Sequence, residues 1–175
     1  MRMRDGVATF LLAVAFALSG AGARAESPDL GRVATPDEIA SWDISIDPGG
    51  AGLPAGSGTA RAGAAVFAAK CAGCHGEAGG GKPNDQLVGG SLTATPPVKT
   101  VGSYWPYATT LFDYIRRAMP LPESKTLKDD EVYSLAAYIL AQNKIVGEDD
   151  VMDARTLPQV RMPNRDGFVR FERGK

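Results

Sequence analysis

The chain holds two cysteines and a single histidine, and all three stand in one pentapeptide, CAGCH, as Cys71, Cys74 and His75. Few chemistries use two thiols and one imidazole with no further soft ligand. A structural zinc site takes four ligands, usually from two spaced pairs, and here the second pair is missing. A disulfide, which an oxidising compartment would permit, leaves His75 without a role. A thioredoxin-type CxxC follows a buried strand and opens a helix, whereas the residues leading into this motif, TARAGAAVFAAKCAG, are Ala-rich and read as a helix. The remaining chemistry is covalent haem attachment, for which C-x-x-C-H is the signature. Near a helix end the three residues are spaced i, i+3 and i+4 and share one face. Both thiols can then form thioethers to the haem vinyl groups while His75 meets the iron, and Ala72 and Gly73 are small enough for the macrocycle to lie against them.

A second axial ligand must come from elsewhere, and with no second His the usual donor is Met, whose thioether raises the reduction potential. Beyond the leader, the methionines are Met119, Met152 and Met162. Met119 stands before Pro120 in YIRRAMPLPESK; the proline ends the preceding helix and holds Met119 extended, and Met119 is the expected ligand. Met152, in GEDDVMD, is expected to be exposed. Met162 also precedes a proline, but in a polar tail, and is the second candidate. Trp105 and Tyr107, in SYWPY, are expected to line the haem pocket, where a ring N–H or O–H could meet a propionate.

The first 25 residues have the form of a secretory leader. Arg2 and Arg4 precede a charge-free run densest in VATFLLAVAFAL, and Ala23-Arg24-Ala25 gives a small-x-small site. The apolar core is short of the roughly 20 residues a spanning helix needs, so cleavage after Ala25, a periplasmic location and no later membrane span are expected. Losing Arg2, Arg4, Arg24 and Asp5 leaves 16 basic and 19 acidic side chains from the 19 and 20 of the whole chain. That balance offers no basic face for nucleic acid.

The fold expected is mainly α. A first helix should run from Thr59, a good N-cap, to Cys74. A second should place Leu111, Phe112, Ile115 and Met119 on one stripe. The last, DDEVYSLAAYILAQN, spaces Val132, Leu135, Ala136, Ile139 and Leu140 at i, i+3, i+4, i+7, i+8 and carries Asp129, Asp130 and Glu131 in the first turn, where the helix dipole favours them. Between His75 and Ser91 lies a glycine-rich loop without the GK[ST] ending of a phosphate loop, expected to cover the haem.

CAGCHG, the Met-Pro pair in RRAMP and the closing LAAYIL resemble class I cytochromes c over about residues 57–145. The resemblance implies that fold, a small helical haem domain at 58–146, flanked by an arm (26–57) and a tail (147–175) of little regular structure. It further implies one haem c, a first and last helix crossing at a small residue (Gly63 and Phe67 matching the first-helix positions and Tyr138 an aromatic on the last), and a proline carbonyl orienting the proximal His, for which Pro83 is the nearest candidate.

A narrower resemblance rests on GRVATPDEIASWDISIDPGGAGLPAGSG, PVKTVGSYWPYATTLFDYIRRAMP and MPNRDGF. These are similar to the cytochrome subunits of periplasmic molybdenum sulfur dehydrogenases, the sulfane and sulfite types. The sulfane type carries two haem domains, so the single motif here is expected to place the chain with the single-haem, sulfite type. The resemblance implies electron transfer from a molybdopterin-containing sulfite or sulfane dehydrogenase subunit, on which the substrate chemistry would occur, to a soluble cytochrome or oxidase. The arm, with Trp42, Ile44 and Ile46, is expected to wrap either its own domain or that partner. The tail, with Arg155, Arg161, Arg165, Arg170, Arg173 and Lys175, is expected to be solvated or to dock. Two alternatives stay open: a diffusible carrier for another dehydrogenase or oxidase, and a thiol–disulfide oxidoreductase using Cys71 and Cys74.

Overall fold

A computed structural model describes residues 30–169. The expected leader, its cleavage point after Ala25, and Arg170, Arg173 and Lys175 lie outside the described residues. The described residues divide into two units, 30–42 and 43–169.

In the first unit helix α1 (Pro36–Trp42) starts after Thr35 with a proline at its first position and Asp37 and Glu38 in its first turn. The Glu38 backbone N–H donates to Thr35 Oγ1 at 3.3 Å, and Glu38 Oε2 accepts the Thr35 N–H at 2.8 Å. This reciprocal pair closes the helix start. The Arg32 guanidinium and then the Thr35 backbone hold the Glu38 carboxyl down to about 2. None of the helix residues is buried.

In the second unit the frame is two crossed helices, α2 (Ala60–Lys70) and α6 (Asp129–Gln142). Thr59 caps α2 by accepting the Ala62 N–H at 3.3 Å. Gly63 sets the crossing: a Cβ there would lie 2.0 Å from the Ser134 carbonyl oxygen and 2.8 Å from Tyr138 Cβ. Only a residue with no side chain lets the two backbones approach so closely. One turn later Phe67 meets Tyr138 with ring centroids 5.0 Å apart. The expected apolar stripe of α6 is buried throughout, with Tyr133 beside it. Side chains such as Phe67, Phe112 and Leu135 stabilise the fold by about 1.5–3 kcal/mol each when fully enclosed. Glu131 links two helices, accepting the Lys128 N–H at 2.8 Å at the start of α6 and pairing with Lys70 of α2 at 2.8 Å.

The first helix is not continuous to Cys74. α2 ends at Lys70, Cys71 leaves helical geometry (φ −123°, ψ −37°), and a separate turn, α3 (Ala72–His75), follows. After the loop come α4 (Val101–Tyr104), capped by Thr100, and α5 (Ala108–Ala118), which buries Leu111, Phe112 and Ile115.

The extensions divide differently from expectation. Residues 43–57 belong to the second unit: Ile46 and Leu53 pack on its core, Pro48 O accepts the Thr109 hydroxyl at 3.2 Å, and Pro54 O accepts the Tyr133 hydroxyl at 2.9 Å. The tail is anchored too. Strand β1 (Ser57–Gly58) pairs antiparallel with β2 (Met152–Asp153). Met152, expected to be exposed, is 4% exposed; Leu157 and Met162 are 0% and 1% exposed in the same core. Their spacing follows neither a helical nor a strand period, which is why a polar, Arg-rich sequence concealed them. Among the described residues no helix is long and apolar enough to cross a membrane.

Candidate functional site

The break at Cys71 builds the site. Its carbonyl accepts the N–H groups of both Cys74 (3.1 Å) and His75 (2.9 Å), so the two cysteines and the histidine occupy one turn. Cys71 is half-buried against the core and Cys74 is exposed; neither is in a disulfide. Burial pushes the Cys71 thiol up to about 11, against a smaller opposing pull from Lys70. A thiol–disulfide oxidoreductase needs the reverse, a thiol lowered into the thiolate range.

The glycine-rich loop folds back beneath this turn. The Gly81 N–H donates to His75 O at 2.7 Å, the Asn84 N–H to Cys74 O at 2.8 Å, and His75 Nδ1 lies 2.8 Å from the Asp85 carbonyl. A carbonyl oxygen only accepts, so Nδ1 carries a proton, and in the neutral imidazole Nε2 is the nitrogen with the lone pair. The imidazole is thereby set up as a metal ligand through Nε2, with an oriented hydrogen bond behind it. The orienting carbonyl belongs to Asp85 and not to Pro83, the expected candidate. The Lys82–Asn84 and Asn84–Cys74 backbone bonds fold this stretch so that the later carbonyl reaches the ring. No side-chain signal could have revealed it, because every residue carries that oxygen.

Met119 is where the pre-proline rule puts it. It follows α5 with extended backbone (ψ 148°), its N–H bonded to Ile115 O at 3.0 Å, and its half-buried side chain borders the same core as Cys71, Ala72, Leu87 and Trp105. Met162, the second candidate, is enclosed in that core at 1% exposure. Trp105 packs edge-on against Tyr114, centroids 5.6 Å apart. Tyr107 instead lies beneath the Arg165 guanidinium at 4.5 Å, which occupies one face of its ring with the C-terminal segment. The donor set, two thiols and an imidazole in one turn with a half-buried thioether bordering the same core, suits a haem.

A family model described as cytochrome C oxidase, cbb3-type, subunit III matches residues 58–139. Among solved structures, a chain in the crystal structure of the sulfane dehydrogenase SoxCD from Paracoccus pantotrophus is similar at 43% identity. The match covers 82% of this chain and 72% of that one, with a TM-score of 0.75. No curated protein matches significantly.

Proposed function

Since the chain belongs to the class I cytochrome c family and is therefore an electron-transfer haem protein, we propose that it is a periplasmic mono-haem cytochrome that accepts electrons from a molybdopterin-containing sulfite or sulfane dehydrogenase subunit. The leader before Glu26 would direct export. Cys71 and Cys74 would hold the haem through thioethers: each S–H adds across a vinyl group, the sulfur bonding one carbon and the hydrogen going to the other. His75 Nε2 and the Met119 thioether would hold the iron. A haem held there supplies a one-electron Fe(III)/Fe(II) couple. The chain's own contribution is to fix its surroundings. Asp85 O holds the His75 tautomer, the Pro120 junction ends α5 so that Met119 stands clear of it, and the apolar core keeps water from one side of the site.

The observation that carries the haem reading is the Nδ1–H···O bond of His75 within one turn of two thiols. The partner reading rests on the 43% identity to a chain of a sulfane dehydrogenase. The first unit supports it, with Leu30, Val33 and Trp42 each more than 80% exposed. Co-purification from the periplasm, followed by addition of sulfite or thiosulfate, tests the partner. The reading expects a molybdenum-containing subunit in the complex and substrate-dependent reduction of the haem. A cytochrome that never co-purifies with such a subunit, and is reduced equally fast without substrate, would instead be a diffusible carrier.

A further inference from the structure

We propose that Asn143, just past the C-terminus of α6, is a positioning residue for His75, an inference that rests on reading His75 as an axial ligand. The Asn143 side-chain amide uses both its ends. Oδ1 accepts the Gly89 N–H at 2.8 Å, while Nδ2 donates to Leu87 O at 3.2 Å and to Ile139 O at 2.9 Å. The last bond secures the amide to its own helix. The other two grip the loop that returns from the CAGCH turn.

Other bonds also tie the loop down: besides the Asn84 N–H to Cys74 O, the Gln86 side-chain amide donates to Val88 O at 2.6 Å. Leu87 and Val88 donate to Gly79 O at 2.9 and 3.2 Å, and the Thr100 hydroxyl donates to Gly89 O. Two residues before Leu87 stands Asp85, whose carbonyl accepts the His75 Nδ1–H. The stretch from 85 to 89 is therefore held at one end by the imidazole and at the other by Asn143. The Asn amide, with a donor and an acceptor on one planar group, satisfies a carbonyl and a nearby N–H together. Asp lacks the donor and Leu lacks both.

Helix α4 is built around this amide. A Cβ on Gly102 would lie 1.9 Å from Asn143 Oδ1 and 2.4 Å from its Cγ. Glycine at 102 leaves the space in which the amide sits, so Gly102→Ala should displace it without altering its chemistry. A firm Nδ1–H···O bond strengthens Nε2 as a donor and so favours the ferric state. Loosening the loop should speed exchange of the Nδ1 proton and raise the potential.

The test uses the haem-loaded protein and four variants: Asn143→Leu, Asn143→Asp, Gly102→Ala and, as a control, Thr109→Val. The control removes a buried hydroxyl bonded to Pro48 O, away from the loop. His75 Nδ1–H exchange is followed by NMR alongside the potential and the melting temperature. Asn143→Leu should exchange about tenfold faster, the scale of one lost hydrogen bond, with a raised potential. Asn143→Asp and Gly102→Ala should move the same way by less, and Thr109→Val should lower the melting temperature alone. If Asn143→Leu fails to load haem, Asn143→Asp and Gly102→Ala decide by the same readouts. Wild-type exchange and potential in the loop variants, or an equal change in Thr109→Val, would leave Asn143 a helix cap and overturn the proposal. A wild-type His75 ring without the large ring-current shift of an axial imidazole would overturn the ligand reading as well.

Discussion

His75 donates one ring proton to Asp85 O and keeps one lone pair, and this division of a single side chain organises the site. The residue types at the CAGCH turn were legible from the sequence because thiol and imidazole chemistry is carried by side chains at fixed spacing. The carbonyl behind the ring was not, because backbone acceptors leave no mark on residue identity. The extended backbone at Met119 was legible through its proline, while the burial of Met152 was missed because it depends on chain far away. The contrast yields a prediction. Met119→Ala should abolish the weak long-wavelength absorption of a ferric iron–thioether bond and lower the potential, since a soft ligand favours Fe(II). Met162→Ala, at a fully enclosed site, should keep the band and cost about 2–5 kcal/mol of stability. A band lost in Met162→Ala and kept in Met119→Ala would move the ligand to the tail.

At the scale of elements, the crossing of α2 and α6 carries the frame. Periodicity announced α6 almost to the residue, because a long apolar run with acids in its first turn has few other ways to fold. The break at Cys71 escaped it, since an Ala-rich sequence is compatible with an uninterrupted helix. At the crossing, Gly63→Ala should destabilise by about 3 kcal/mol through overpacking against the Ser134 carbonyl; denaturant melts that match wild type would mean the helices can part without cost. The Lys70–Glu131 pair gives a pH test. Lys70, then the Lys128 N–H, holds the Glu131 carboxyl below its ordinary 4.5. The folded value is lowered, so the contribution is present above about pH 4.5 and is lost as the pH falls through the folded value. Both partners are partly exposed, so Glu131→Gln should cost only about 0.5–1 kcal/mol at pH 7, and the difference from wild type should close towards pH 3. An equal deficit at both pH values would show that charge is not what Glu131 contributes.

Over the whole molecule, composition and motif were enough to anticipate a helical haem domain, but not which flanking residues belong to it. Charge and proline made 43–57 and 147–169 look like extensions, yet Leu53, Met152, Leu157 and Met162 pack on its core. Deleting residues 30–42 removes no buried side chain and should leave haem content and potential unchanged while weakening association with the proposed dehydrogenase subunit. Ending the chain at Asp150 should instead reduce the yield of folded holoprotein, because it strips β2 and three core residues; equal yields from both would contradict the assigned core. The central claim is that Cys71 and Cys74 hold one haem. Its most direct measurement is the intact mass of the exported protein after acidified-acetone extraction. The account predicts the polypeptide from Glu26 plus the mass of one haem, retained through extraction. A colourless polypeptide at its bare mass, or two hydrogens lighter through a Cys71–Cys74 disulfide, would contradict it.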